Sequence, residues 1–284
     1  MLETEKKQVF SGATQYVLDE ELASIVNVSM ALEMPLLLKG EPGTGKTMLA
    51  HAIAESLHMP LIVLNVKSSM KLVDALYQYD TLTRLNDSRF SDSGRDVSNI
   101  EDYIKMGKVG QAFTSDARTV LLIDEIDKAD TDFQDDMLDV LDQMEFDIIE
   151  IDKVISAKTR PVIIITSNAK KDLSDPFLGR CNFHHIAFPD PKMMRKIIGV
   201  HFPDLDSDMA ENAVATFYRL RELDTIEKRP ATRELINWIR ALASDPDFKP
   251  KRLLKGEVPF LGVLFKKSQD YQRAVQQTER RRLF

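Results

Sequence analysis

The chain has 284 residues, 43% of them apolar, and a net charge of −7 from 38 basic and 45 acidic side chains. That length buries one full core and a second, smaller one. The single cysteine, Cys181, cannot form an intrachain disulfide, and no run reaches the roughly 18 apolar residues of a membrane helix. The opening stretch MLETEKKQVF has neither a secretory apolar run nor the Arg-rich character of a transit peptide, so a reducing, cytoplasmic compartment is expected.

Four short, nearly continuous apolar runs, PLLLK (35–39), PLIVLN (60–65), TVLLID (119–124) and PVIIIT (161–166), read as buried parallel strands, and HHIAF (184–188) as a weaker fifth. Helical patterns lie between them: KTMLAHAIAESLHM follows the first run, and DFQDDMLDVLDQM sets Phe133, Met137, Leu141 and Met144 on one face. Alternating strands and helices predict a three-layer α/β core around a parallel sheet. After FPDPK (188–192) the strand pattern stops and helices continue. The expected organisation is therefore an α/β nucleotide-binding domain over 1–189 and a smaller all-α lid over 190–284.

The stretch GEPGTGKT (Gly40, Glu41, Pro42, Gly43, Thr44, Gly45, Lys46, Thr47), followed by Met48, fits G-x-x-x-x-G-K-[ST] between a strand and a helix. Its glycines let successive N–H groups turn inward onto phosphate oxygens at a helix N-terminus. Lys46 would reach the β- and γ-phosphates of ATP, and Thr47 would place its hydroxyl on Mg²⁺. TVLLIDEID then ends a buried strand in two acids: Asp124 suits Mg²⁺, and Glu125 suits polarising the attacking water. Asp127 and Asp130 read as caps of the next helix. Asn168, just beyond VIIITS, stands where ligands of open α/β sheets bind and could orient water without competing for the metal.

In order and spacing these three motifs, followed by a helical lid, resemble the AAA+ ATPases. The stretches YVLDEELASIVNVSMALEMPLLLKGEPGTGKTMLA, GQAFTSDARTVLLIDEIDKAD, RPVIIITSN and RPATRELINWIRAL resemble the MoxR branch across most of residues 10–245. The whole chain is similar to stand-alone ATPases encoded beside von Willebrand A-domain proteins, including those that mature carbon monoxide dehydrogenase. The resemblance implies a homo-oligomeric ring, commonly a hexamer, and an arginine acting in trans on the neighbour's γ-phosphate. Arg180, twelve positions past Asn168, matches that arginine, with Arg118 and Arg160 next in line. The lid arginine maps to Arg233, which sits in a helical first turn after Thr232, read as its N-cap, where positive charge opposes the dipole; Arg229 is the fallback. Asn65 matches the polar residue that holds the catalytic glutamate out of line, and Tyr16 and Val17 match the segment covering adenine.

Residues 68–116 and 145–159 depart from a minimal core, and the second alternates like a β-hairpin. They resemble the branch's pore-facing insertions, so the implied activity is Mg²⁺-dependent ATP hydrolysis that remodels or matures a partner, for instance by metal insertion into a client enzyme. Alternatives on the same core are a nucleic-acid motor and a nucleotide-gated scaffold with little turnover. From Lys249 to Phe284 ten basic residues face three acidic ones, net +7, which leaves −14 for the rest. An acidic body argues against broad duplex binding, while the basic tail reads as a solvated helical face or a docking segment for an acidic surface. Cys181 with His184 and His185 makes a poor zinc site, because adjacent strand residues point to opposite faces.

Overall fold

The structure, a computed structural model, describes residues 9–90, 96–168, 171 and 173–282. The first eight residues, positions 91–95 within the first insertion, positions 169, 170 and 172, and the last two residues of the basic tail lie outside the described residues; for 280–282 only the backbone is described. The chain divides into two compact units. One comprises Met1–Ala13, Leu18–Gly40 and Lys46–Ile186; the other comprises Thr14–Val17, Glu41–Gly45 and Ala187–Phe284.

The first unit is built on a parallel sheet. Helix α1 (Glu20–Leu32) starts at Asp19, whose carboxylate accepts the Leu22 N–H at 2.7 Å and satisfies one orphan donor of the first turn. Strands β1 (Leu36–Lys39) and β2 (Leu61–Asn65) flank α2 (Lys46–Leu57), which buries Leu49, Ile53 and Leu57 on one face. The first insertion follows: α3 (Leu72–Leu76), β3 (Tyr77–Tyr79), α4 (Thr81–Arg89), β4 (Ile104–Met106) and α5 (Lys108–Thr114), with β3 and β4 paired antiparallel. Then come β5 (Val120–Asp124) and α6 (Thr131–Gln143), capped by Asp130 through a 2.9 Å bond from the Phe133 N–H. The second insertion is the expected hairpin, β6 (Glu145–Ile148) with β7 (Lys153–Ser156). Strand β8 (Val162–Ser167), the short helix α7 (Asp175–Gly179) and β9 (Asn182–His185) complete the unit.

The five main strands lie in the order β2-β5-β8-β1-β9, all parallel. Leu36–Leu38, Val120–Ile123 and Val162–Ile165 are buried, which is why these stretches read as unbroken apolar runs. The fifth strand begins two residues earlier than HHIAF suggests. Its register on β1 sets Asn182 opposite Leu36, and the Asn182 amide donates to Ser29 Oγ at 3.1 Å, so polar residues enter the ladder where periodicity alone favours apolar ones.

The second unit packs α8 (Pro191–His201), α9 (Ser207–Arg221), α10 (Thr232–Ala243), α11 (Lys251–Leu254), α12 (Leu261–Leu264) and α13 (Ser268–Arg282) around an apolar core. Asp190 and Asp206 cap α8 and α9 by accepting the Met193 and Met209 N–H groups at 2.6 and 3.0 Å. Trp238 is fully buried, and its indole N–H donates to the Pro259 carbonyl at 2.8 Å, as a buried indole requires. Buried Asp270 accepts the Glu227 and Lys228 N–H groups, tying the 222–231 loop to α13. Among the described residues no helix is long and apolar enough to cross a membrane.

Candidate functional site

In a parallel sheet all strands end on one edge, and the candidate residues gather there. Asn65 lies opposite Asp124 in the β2–β5 register, and β8 carries Thr166, Ser167 and then Asn168 past the neighbouring strand end. Asp124 Oδ1 accepts two hydroxyls: Thr47 Oγ1 at 3.0 Å and Thr166 Oγ1 at 2.6 Å. A hydroxyl and a carboxylate oxygen this close are hard donors of the kind Mg²⁺ takes alongside waters.

Glu125 turns into the left-handed region, φ 60° and ψ 52°, which non-glycine residues seldom occupy. Its backbone N–H is taken up by Thr166 Oγ1 at 2.9 Å. The Asn168 amide donates to Glu125 Oε1 at 2.6 Å, and Lys128 forms an ion pair with the other oxygen. That pairing pushes the Lys128 ammonium pKa up. Asn168 is itself held by its N–H donating to Asp127 Oδ1 at 3.2 Å. Asp127 is therefore no helix cap: it is buried in a short 3-10 turn, because the αL step at Glu125 redirects the chain inward before Asp130 caps α6.

Lys46 is buried, and its ammonium donates to the Gly40 carbonyl at 2.8 Å. Within the second unit, Gly43 and Gly45 have φ of +79° and +96°, a region L side chains rarely adopt. A Cβ on Gly43 would stand 2.7 Å from the Ala231 Cβ, and one on Gly45 would stand 3.4 Å from the Tyr16 ring. The structure thus brings Tyr16 to the loop; Val17 is half-buried, and Met48, the loop's next residue, is exposed. Thr44 Oγ1 bonds back to the Glu41 carbonyl at 3.0 Å.

The model of the ATPase family associated with various cellular activities matches residues 36–189, more than half of the chain. The chain belongs to the AAA family. It has the AAA+ P-loop fold, with a parallel five-stranded sheet and helices. One solved structure, the Thermotoga maritima RuvB Holliday junction branch migration motor, aligns over 84% of this chain and 68% of its own at 17% identity, with a TM-score of 0.49. No curated protein matches the chain.

On this AAA scaffold the remaining candidates fall less tightly. Arg180 caps the end of α7, is 43% exposed, and pairs with Asp142 at 2.9 Å and Asp139 at 3.4 Å, both on α6. Asn65 ends β2 with an exposed side chain, while the Glu125 carboxylate is occupied by Asn168 and Lys128. Arg118 and Arg160 serve the backbone: Arg118 Nε donates to the Arg160 carbonyl and Arg160 Nε to that of Glu33. Arg229 and Arg233 are exposed. The N-cap of α10 is Ala231 rather than Thr232: the Glu234 carboxylate accepts the Ala231 N–H at 3.1 Å, which draws Thr232 into the first helical turn with its hydroxyl buried and unpaired. Burial, with a smaller push from Asp142, raises the Cys181 thiol to about 12, so at neutral pH it is no thiolate.

Three participants escape motif reading. Thr166 looks like an ordinary β-branched strand residue, and Lys128 like a surface lysine. Arg221, in α9, is buried with its guanidinium 3.5 Å from the Phe188 ring centroid, donates to the Pro230 carbonyl at 2.7 Å, and forms an ion pair with Glu41 of the loop, 180 positions away. An arginine at the end of an otherwise amphipathic helix, on its buried side, was the one available signal.

Proposed function

We propose that the protein is a Mg²⁺-dependent ATPase that assembles into a ring and uses hydrolysis to remodel or mature a partner protein. The observation that carries the reading is the strand-end constellation: Thr47 and Asp124 oxygens 3.0 Å apart, with Glu125 and Asn168 joined beside them at 2.6 Å. Thr47 and Asp124 would hold Mg²⁺, which neutralises charge between the phosphates. Glu125 would accept a proton from the attacking water, and Asn168 fixes the carboxylate through which it does so. Lys46 and the loop N–H groups would bind the phosphates of ATP.

The finer assignment follows the MoxR-like stretches: a hexamer, a von Willebrand A-domain partner and a client that includes a metalloenzyme. In that assignment Arg180 acts on the neighbouring subunit's nucleotide, Arg233 senses nucleotide from the lid, Asn65 modulates Glu125, and Tyr16 with Val17 covers the base. The β6–β7 hairpin suits gripping a client, since its tip residue Ile149 is 83% exposed. Glu125→Gln tests the chemistry. The amide preserves shape but accepts no proton, so ATP binding should persist while hydrolysis falls about 10²–10⁴-fold. Lys46→Ala should lose binding itself, measured by nucleotide titration. Near-normal turnover in Glu125→Gln would remove the reading.

A further inference from the structure

We propose that Thr166 is a positioning residue for hydrolysis, a single buried hydroxyl that sets both the carboxylate of Asp124 and the backbone of Glu125. The inference rests on the hydrolytic reading above. Thr166 is fully buried in β8, directly after Ile163, Ile164 and Ile165. In such a strand a valine would have the same shape and no polar atom to satisfy, so the hydroxyl needs a reason. A threonine hydroxyl often satisfies itself on a nearby backbone carbonyl. Here both of its partners lie on the neighbouring strand end, more than 40 positions away in sequence.

The hydroxyl has one proton, and it goes to Asp124 Oδ1 at 2.6 Å. A lone pair on the same oxygen accepts the Glu125 N–H at 2.9 Å. Donor and acceptor roles are thus used in opposite directions, toward two consecutive residues with different proposed tasks. The first bond selects the Asp124 rotamer whose Oδ1 meets Thr47 at 3.0 Å. The second holds Glu125 in its left-handed conformation, φ 60°, which persists only where surroundings over-determine it. Without the hydroxyl, the N–H of Glu125 loses its partner and the turn loses its restraint. The Glu125 carboxylate then moves relative to the metal-side oxygens, and a misplacement near 1 Å is enough to cost about 10²-fold in rate.

The experiment compares Thr166→Val, Thr166→Ser and Glu125→Gln in the full chain by steady-state ATPase kinetics. Thr166→Val should lower kcat about 10–100-fold with KM for ATP within about threefold, because the phosphate loop is untouched and only the strand-end geometry loosens. Thr166→Ser keeps the hydroxyl and should return kcat to within about threefold of the parent, which a packing role would not do, since serine packs worse than valine there. Inactive Glu125→Gln beside a Thr166→Val variant with parental kcat overturns the proposal and leaves the site reading standing. Preserved turnover in Glu125→Gln overturns the site reading and takes this proposal with it. If Thr166→Val fails to fold by circular dichroism, Thr166→Cys decides by the same criteria: its weak donor and acceptor should still lower kcat, and parental kcat overturns the proposal.

Discussion

Glu125 and Arg180 are two proposed reacting groups of the same unit, held in opposite ways. Glu125 has its N–H fixed by a buried hydroxyl, one carboxylate oxygen fixed by Asn168, and Asn168 in turn fixed by buried Asp127. Arg180 is held by two ion pairs to Asp139 and Asp142, all three side chains open to water. Bonds anchored on buried groups such as Thr166 and Asp127 cost more to leave unmade than exposed ion pairs, which exchange readily for other anions. On the proposed reading the contrast is a division of labour: Glu125 is set by its own chain, while Arg180 would trade its aspartates for a neighbour's phosphate.

The largest test of that contrast is Arg180→Ala in the proposed ring. An arginine acting on a neighbour's γ-phosphate contributes about 10³–10⁵ in rate, so hydrolysis should fall by roughly 10³-fold or more while ATP affinity stays near normal. Mixing Arg180→Ala with Lys46→Ala subunits should restore part of the activity, since some interfaces then pair an intact loop with an intact arginine. Mixed rings verified by mass measurement but no more active than either parent would return Arg180 to a surface role.

A middle-sized effect is expected on the buried side. Asp127→Ala removes the buried acceptor of the half-buried Asn168 N–H, and a polar group left without its partner costs up to about 1–3 kcal/mol. Thermal unfolding should drop by about 3–10 °C, and kcat should fall with it as Asn168 loosens from Glu125. An unchanged melting temperature would show that the strand-end network is less cooperative than its geometry implies.

The smallest effect belongs to the exposed side. Asp139→Asn combined with Asp142→Asn removes both partners of Arg180, yet exposed pairs contribute only about 0–1 kcal/mol, so chemical denaturation should shift by no more than that. Basal turnover should remain at or above the parental value, because Arg180 is released rather than lost. A drop in stability beyond about 2 kcal/mol would place Arg180 in the fold instead.

Much of this was legible before any coordinates. GEPGTGKT announces itself because phosphate binding needs glycines, a lysine and a hydroxyl at fixed local spacing, and Gly43 and Gly45 do adopt positive φ. Asp124, Glu125 and Asn168 were readable because acids or amides directly after unbroken apolar runs mark strand ends. Local rules failed where a tertiary contact outweighed them. Thr232 has the residue type of an N-cap, but the Glu234 carboxylate takes the Ala231 N–H and shifts the helix start by one residue. Asp127 has the residue type of a cap too, and the αL turn at Glu125 buries it against Asn168 instead.

The amino-acid sequence by itself determined the four central strands, the parallel sheet and the glycine-rich loop, because each depends on periodicity or on contacts within a few residues. Only the tertiary structure decided which side chains share one atom. Thr166 meets Asp124 because β8 lies beside β5 in one register, and Arg221 meets Glu41 across 180 positions of chain. Nothing in the local composition of either stretch encodes such a meeting: hydrogen bonds form over about 3 Å, and which residues come that close is set by strand order and packing.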